Sequence, residues 1–157
     1  MSKGTHYLYP AAMFSSTDPH IVTTLLGSCV AVCLFDPVKK IGGINHYMLP
    51  FWNGEGLASP KYGNIAIDKL IEKMLSYGSV KSHLVAKVFG GGEVIETEAG
   101  LFHIGERNIQ IALDMLKEHR INIVASSLGG KLGRRIQFDT EEGSVLMKFI
   151  QKQNTLK

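Results

Sequence analysis

The chain has 157 residues, 45% of them hydrophobic and 20% charged, with a formal net charge of +3. That is the size and balance of one globular domain, and it excludes a disordered, tail-like protein. Its two cysteines, Cys29 and Cys33, are too few for a disulfide framework, and their spacing is neither a Cys-x-x-Cys redox pair nor half of a zinc ribbon. No His-Glu-x-x-His pair or similar ligand spacing occurs among the histidines, so neither a metal nor a cofactor is expected. Residues 19–35 carry no Asp, Glu, Lys or Arg. They also hold Thr23, Thr24, Gly27 and Ser28 and stop at Asp36-Pro37, which argues against membrane insertion. The basic residues are scattered, with only Lys131, Arg134 and Arg135 near one another, so nucleic acid is not an expected partner. A reducing cytoplasm is the default setting for such a chain.

Residues 1–150 read as a single domain and 151–157 as a short C-terminal tail. In chain order, 20–26 and 30–35 are β-branched, apolar strands split by the Gly27-Ser28 breaker. A third strand, 40–49, follows an Asp36-Pro37 turn. After a loop containing Trp52, the spacing of Ile67, Leu70, Ile71, Met74 and Leu75 predicts a helix, with Ser59 before Pro60 as its N-cap and Gly78 as its stop. A strand at 83–89 runs into Gly90-Gly91-Gly92. A second helix fits 106–119, a strand 121–126, and a closing hairpin pairs 135–140 with 144–150. Hairpins with two amphipathic helices imply a layered α/β or α+β sandwich on a mixed sheet.

The glycine clusters match neither Gly-x-x-x-x-Gly-Lys-Ser/Thr nor Gly-x-Gly-x-x-Gly, so they are read as strand-end turns with close backbone approach rather than phosphate cradles. Cys29 is more informative. If 30–35 and 40–49 form a hairpin turning about Pro37 and Val38, Cys29 lies directly across from His46 and Cys33 across from Gly42. Opposed side chains share a face at a separation a thiol and an imidazole can bridge, and a cysteine nucleophile needs such a base. A one-residue slip would destroy the pairing. The competing reading is that a cysteine in an apolar strand is a small core residue; the Gly27-Ser28 break favours a surface position for Cys29, whereas Cys33 is assigned to the core. A third group must hold the imidazole, and the residues leave Thr23, Thr24 and Asn45 open for that role.

The run Thr23-Thr24-Leu25-Leu26-Gly27-Ser28-Cys29-Val30, followed by His46-Tyr47-Met48-Leu49-Pro50, resembles the active-site segment of the CheD family of chemoreceptor glutamine deamidases. The likeness continues through Gly90-Gly91-Gly92, Ile104-Gly105-Glu106-Arg107-Asn108 and Gly129-Gly130-Lys131-Leu132-Gly133-Arg134. It implies a three-layer α/β/α sandwich with a mixed, largely antiparallel sheet, and a Cys-His-Thr triad in which Cys29 is the nucleophile, His46 the general base and acid, and Thr23 the orienting group. The implied reaction converts glutamine side chains to glutamate on the cytoplasmic part of methyl-accepting chemotaxis receptors. The implied further partner is a CheC-type phosphatase. Two other readings share the residues: a non-catalytic regulator that docks such a phosphatase or a receptor, and a cysteine peptidase or transamidase.

Overall fold

The computed structural model describes residues 2–93 and 103–151. Nine strands and two α-helices follow in the order β1 (Gly4–Tyr7), β2 (Met13–Ser16), β3 (His20–Leu26), β4 (Val30–Asp36), β5 (Ile41–Asn45), α1 (Gly63–Ser76), β6 (Val85–Gly90), α2 (Ile104–Glu118), β7 (Asn122–Leu128), β8 (Gly133–Asp139) and β9 (Val145–Ile150). A single 3-10 turn, Lys81–His83, precedes β6. The strands make two sheets, ordered β1-β3-β8-β9 and β2-β5-β4-β6-β7. Among the described strands only β1 with β3 and β6 with β7 run parallel; the other strand pairings are antiparallel.

Alternation along β4 explains the layering. In a strand successive side chains point to opposite faces, and every residue of β4 but Phe35 is buried. Val30, Val32 and Leu34 pack with Ala66, Ile67, Leu70 and Met74 of α1 and with Ile111, Ala112 and Leu116 of α2. Ala31 and Cys33 pack with Val22 and Leu26 of β3 and Ile136 and Phe138 of β8. The α/β class, the three layers and the largely antiparallel pairing agree with the sequence reading. The layer opposite the helices is, among the described residues, the four-stranded sheet rather than a helix. Two sheets stacked face to face supply the second core, because β3 and β8 each turn an apolar face inward.

Several local expectations are corrected. Strands β1 and β2 fall where no element is predicted, since Gly4–Tyr7 is exposed throughout and Met13–Ser16 only half-buried; edge strands this short carry no apolar alternation to read. Ser59 does not cap α1. The helix begins at Gly63 behind Tyr62, whose side chain makes no capping bond, and Ser59 instead organises the preceding turn, its Oγ accepting from Lys61 N and its carbonyl from Tyr62 N. The first helical N–H groups find the carbonyls of Leu49 and Pro50 instead: Gly63 N donates to Leu49 O at 2.7 Å and Asn64 N to Pro50 O at 3.1 Å. This satisfies the orphan donors of the helix start and fastens α1 to the chain that carries His46. Gly78 does terminate the helix, at φ 98°.

The β4–β5 hairpin turns later than expected. Asp36 Oδ1 accepts from the N–H groups of Val38 and Lys39, and its Oδ2 from Ser79 Oγ. Lys40, in the left-handed region at φ 57°, closes the loop onto Asp36 O. A buried aspartate with those donors directs an Asx-type turn and moves the register by two residues. Cys33 therefore faces Ile44, and Gly42 faces Phe35.

Candidate active site

Cys29 sits in the short turn between β3 and β4, half-buried, while His46 follows the last residue of β5 and is almost wholly buried. Beyond β5 the chain stays against β4 through a bridge between Val30 and Tyr47, with Val30 N donating to Tyr47 O at 3.1 Å and Tyr47 N to Val30 O at 3.0 Å. That bridge places His46 level with Ala31, and Cys29 one pleat further along, level with Met48. A shift of two residues keeps the face, where a shift of one would have reversed it. Cys29 and His46 are thus diagonal neighbours on the face turned toward β3 and β8 instead of directly opposed. The thiol–imidazole hydrogen bond expected from the sequence is not formed: His46 Nε2 is buried and makes no hydrogen bond among the described residues.

The other ring nitrogen is held firmly. Thr24 Oγ1 lies 2.7 Å from His46 Nδ1 and 2.7 Å from Leu8 O. A hydroxyl has one proton, and a carbonyl can only accept, so Thr24 donates to Leu8 O and accepts from His46 Nδ1–H. The tautomer follows: Nε2 carries the lone pair and is the nitrogen available as a base. Burial drives the His46 pKa down from 6.5 to about 4, so the ring is neutral at pH 7. Burial also raises the Cys29 thiol, opposed by its own backbone N–H. Both shifts favour a resting pair of neutral thiol and neutral imidazole over a preformed ion pair.

Thr23, to which the resemblance assigns the orienting role, is not the threonine at the imidazole. Adjacent residues of β3 face opposite ways, so Thr24 is fully buried between the sheets while Thr23 is half-exposed on the outer face. There its Oγ1 is 3.4 Å from Gln137 Nε2, and its carbonyl accepts from Leu8 N at 2.8 Å. Asn45, the third residue left open, points its Oδ1 at Val32 N, 2.9 Å away. It fills the place where β5 leaves the ladder with β4.

The segment before β2 completes the socket. Ala11 N donates to His46 O at 2.8 Å, and His46 N donates to Ala12 O at 3.1 Å. Ala11 adopts φ 69° to do so, a conformation uncommon for a residue with a Cβ. With Leu8 fully buried, this N-terminal stretch holds both His46 and Thr24.

The turn that carries Cys29 is fixed from below by glycines and one asparagine. Gly91 N donates to Cys29 O and Gly92 N to Gly27 O, each at 2.9 Å. Gly90 is required: at φ 112°, a Cβ there would stand 2.2 Å from Cys29 O. Gly105, in the first turn of α2, meets Gly91 so closely that its Cβ would lie 2.3 Å from Gly91 O. One turn on, the fully buried Asn108 donates from Nδ2 to Ser28 O and to Met48 O, both at 3.0 Å. Arg134 is inward-facing, not part of a surface basic cluster. Its Nη2 donates to Gly129 O at 2.8 Å and its Nε to Ser127 Oγ at 3.0 Å, beneath Phe149. Composition gave no hint of a role for Asn108 or Arg134; their only sequence signal is membership in the separated motifs quoted above.

This chain matches the family described as CheD chemotactic sensory transduction over residues 48–149. The chain belongs to the CheD family. It is 50% identical over 149 residues to a "Probable chemoreceptor glutamine deamidase CheD" of Trichlorobacter lovleyi, covering 95% of this chain and 92% of that protein. It is also 50% identical over 148 residues to the protein of that name from Sulfurimonas denitrificans, covering 93% and 94%. A "Probable chemoreceptor glutamine deamidase CheD 1" of Anaeromyxobacter dehalogenans is 39% identical over 142 residues, covering 90% and 82%.

Proposed function

We propose that this CheD-family protein is a chemoreceptor glutamine deamidase in which Cys29 is the nucleophile, His46 the general base and acid, and Thr24 the group that orients the imidazole. The observation that carries the reading is the Leu8–Thr24–His46 chain of hydrogen bonds. It leaves a buried, unpartnered Nε2 on the face that Cys29 shares. Relatives named as glutamine deamidases supply the substrate class.

The reaction runs in two halves. When a receptor glutamine enters, the Cys29 thiol proton passes to His46 Nε2 and Sγ bonds to the carboxamide carbon, the carbonyl pair moving onto oxygen. Catalytic hydrogen bonds that are open in the free enzyme close at this stage. The oxyanion collapses, His46 Nε2–H protonates the nitrogen, the C–N bond breaks and ammonia leaves, giving a thioester. Water then loses a proton to Nε2 and attacks the same carbon, the C–S bond breaks, and the thiol is restored. The balance is glutamine and water to glutamate and ammonia.

The cytoplasmic setting and a CheC-type phosphatase partner belong to the same proposal. No helix among the described residues is long and apolar enough to cross a membrane. Incubating the protein with a receptor cytoplasmic fragment should release ammonia with matching amide-to-acid conversion, and Cys29→Ala and His46→Ala should abolish both. Conversion undiminished in Cys29→Ala would overturn the assignment. Chain cleavage or cross-linking in place of deamidation would move it to a peptidase or transamidase.

A further inference from the structure

Three consecutive carbonyls of the nucleophile turn are held toward the interior. Gly27 O accepts from Gly92 N, Cys29 O from Gly91 N, and between them Ser28 O accepts from the side chain of Asn108. The described chain has no cis peptide bond, and in a trans peptide the C=O and N–H point in opposite directions. Fixing Ser28 O inward therefore turns the Cys29 N–H outward. Among the described residues that N–H donates to no backbone or side-chain acceptor of another residue, whereas the next, Val30 N–H, is engaged by Tyr47 O.

We infer that Asn108 is a positioning residue for the oxyanion hole: by gripping Ser28 O and Met48 O together, it aims the Cys29 backbone N–H at the oxygen that becomes negative when Sγ adds to a carbonyl. The inference deepens the deamidase reading and takes its reaction from it. The grip is directional. Both bonds come from Nδ2, and a flipped amide would set Oδ1 against two carbonyls, so only a side chain with two donors on one atom serves both acceptors. Asn108 is itself anchored, because its backbone carbonyl accepts from Tyr47 Oη. Since Tyr47 follows His46 and Met48 follows Tyr47, one residue of α2 sets the nucleophile turn against the strand end that carries the base. Gly105, packed on Gly91 one turn earlier, lets the helix approach closely enough for the grip.

The test separates acylation from alkylation of Cys29. Acylation by p-nitrophenyl acetate passes through a tetrahedral oxyanion, whereas alkylation by iodoacetamide does not, and neither requires a receptor. For Asn108→Asp and Asn108→Leu, the acylation rate should fall by about a hundredfold, the order seen when an oxyanion donor is lost. Alkylation should change less than about threefold on the same comparison. Deamidation of a receptor fragment should lose kcat in parallel with acylation, with KM little changed. Equal losses in acylation and alkylation, or no loss in either, would overturn the role. An absence of deamidation by the wild-type protein alongside an intact acylation effect would refute the deamidase reading and leave the hole standing. Should both variants fail to melt cooperatively, hydrogen exchange in the wild-type protein decides: the Cys29 amide should exchange fast and the Val30 amide slowly. A protected Cys29 amide would refute the outward N–H.

Discussion

Replacing Thr24 by valine keeps the β-branched shape of a buried strand residue and removes only the hydroxyl. Two buried partners lose their bond at once, Leu8 O and His46 Nδ1–H, each 2.7 Å from that hydroxyl. Leaving a buried polar group unsatisfied costs about 1–3 kcal/mol, so losing both partners in Thr24→Val should destabilise the fold by about 2–6 kcal/mol. The chemistry should suffer separately, since nothing then selects the tautomer that presents a free Nε2. A loss of roughly a hundredfold in kcat is expected, the low end of what a positioned general base contributes. Thr23→Val is the matched control one residue away. On the half-exposed outer face, its hydroxyl has among the described residues only a long contact with Gln137, and its removal should change stability by about 0.5 kcal/mol or less and leave kcat within about twofold on the same reasoning. Urea unfolding gives the first quantity, and ammonia release from a receptor fragment gives the second. If Thr23→Val proves the more damaging of the two, the assignment of the orienting role to Thr24 is refuted.

Three further outcomes are expected. Because His46 has a folded pKa of about 4 against 6.5 unfolded, the unfolded chain binds the extra proton between those values. The stability this burial supplies is complete above about pH 6.5 and is lost as pH falls toward 4, by about 3 kcal/mol in total. His46→Gln should flatten the stability curve in that window, and an unchanged slope would contradict the shift. Gly90→Ala should cost several kcal/mol and sharply reduce activity, because its Cβ would collide with Cys29 O in a left-handed backbone. A melting temperature equal to wild type would show that the close approach is not needed. Iodoacetamide should modify Cys29 and spare Cys33 in the native protein, since Cys33 is buried and its thiol pKa is pushed far up by that burial. Peptide mapping that finds both labelled at similar rates would contradict the packing.

The sequence reading places β3 on its observed bounds because β-branched residues between two breakers leave little choice. It also finds both helices from their apolar spacing. It puts Cys29 and His46 on one face for an incomplete reason. The hairpin turn depends on how the Asp36 carboxylate gathers the N–H groups of Val38 and Lys39, which an Asp-Pro pair does not disclose. The error of two residues preserved the face only because strand periodicity is two. The threonine was harder to assign. Thr23 and Thr24 are chemically identical neighbours, and only the packing of one face of β3 against the sheet that contains β4 decides which one turns inward. The N-terminal socket was invisible, because Leu8, Ala11 and Ala12 act through backbone groups and any residue carries those. Asn108 acts across 80 positions of sequence separation on Ser28, a contact no local pattern encodes.

Deamidation of a receptor cytoplasmic fragment in oxygen-18 water, read residue by residue by mass spectrometry, tests the central claim most directly. Wild-type protein should convert particular glutamines to glutamates carrying one labelled oxygen, and Cys29→Ala, folded to the same stability, should convert none. Equal conversion by Cys29→Ala would contradict a thioester at Cys29.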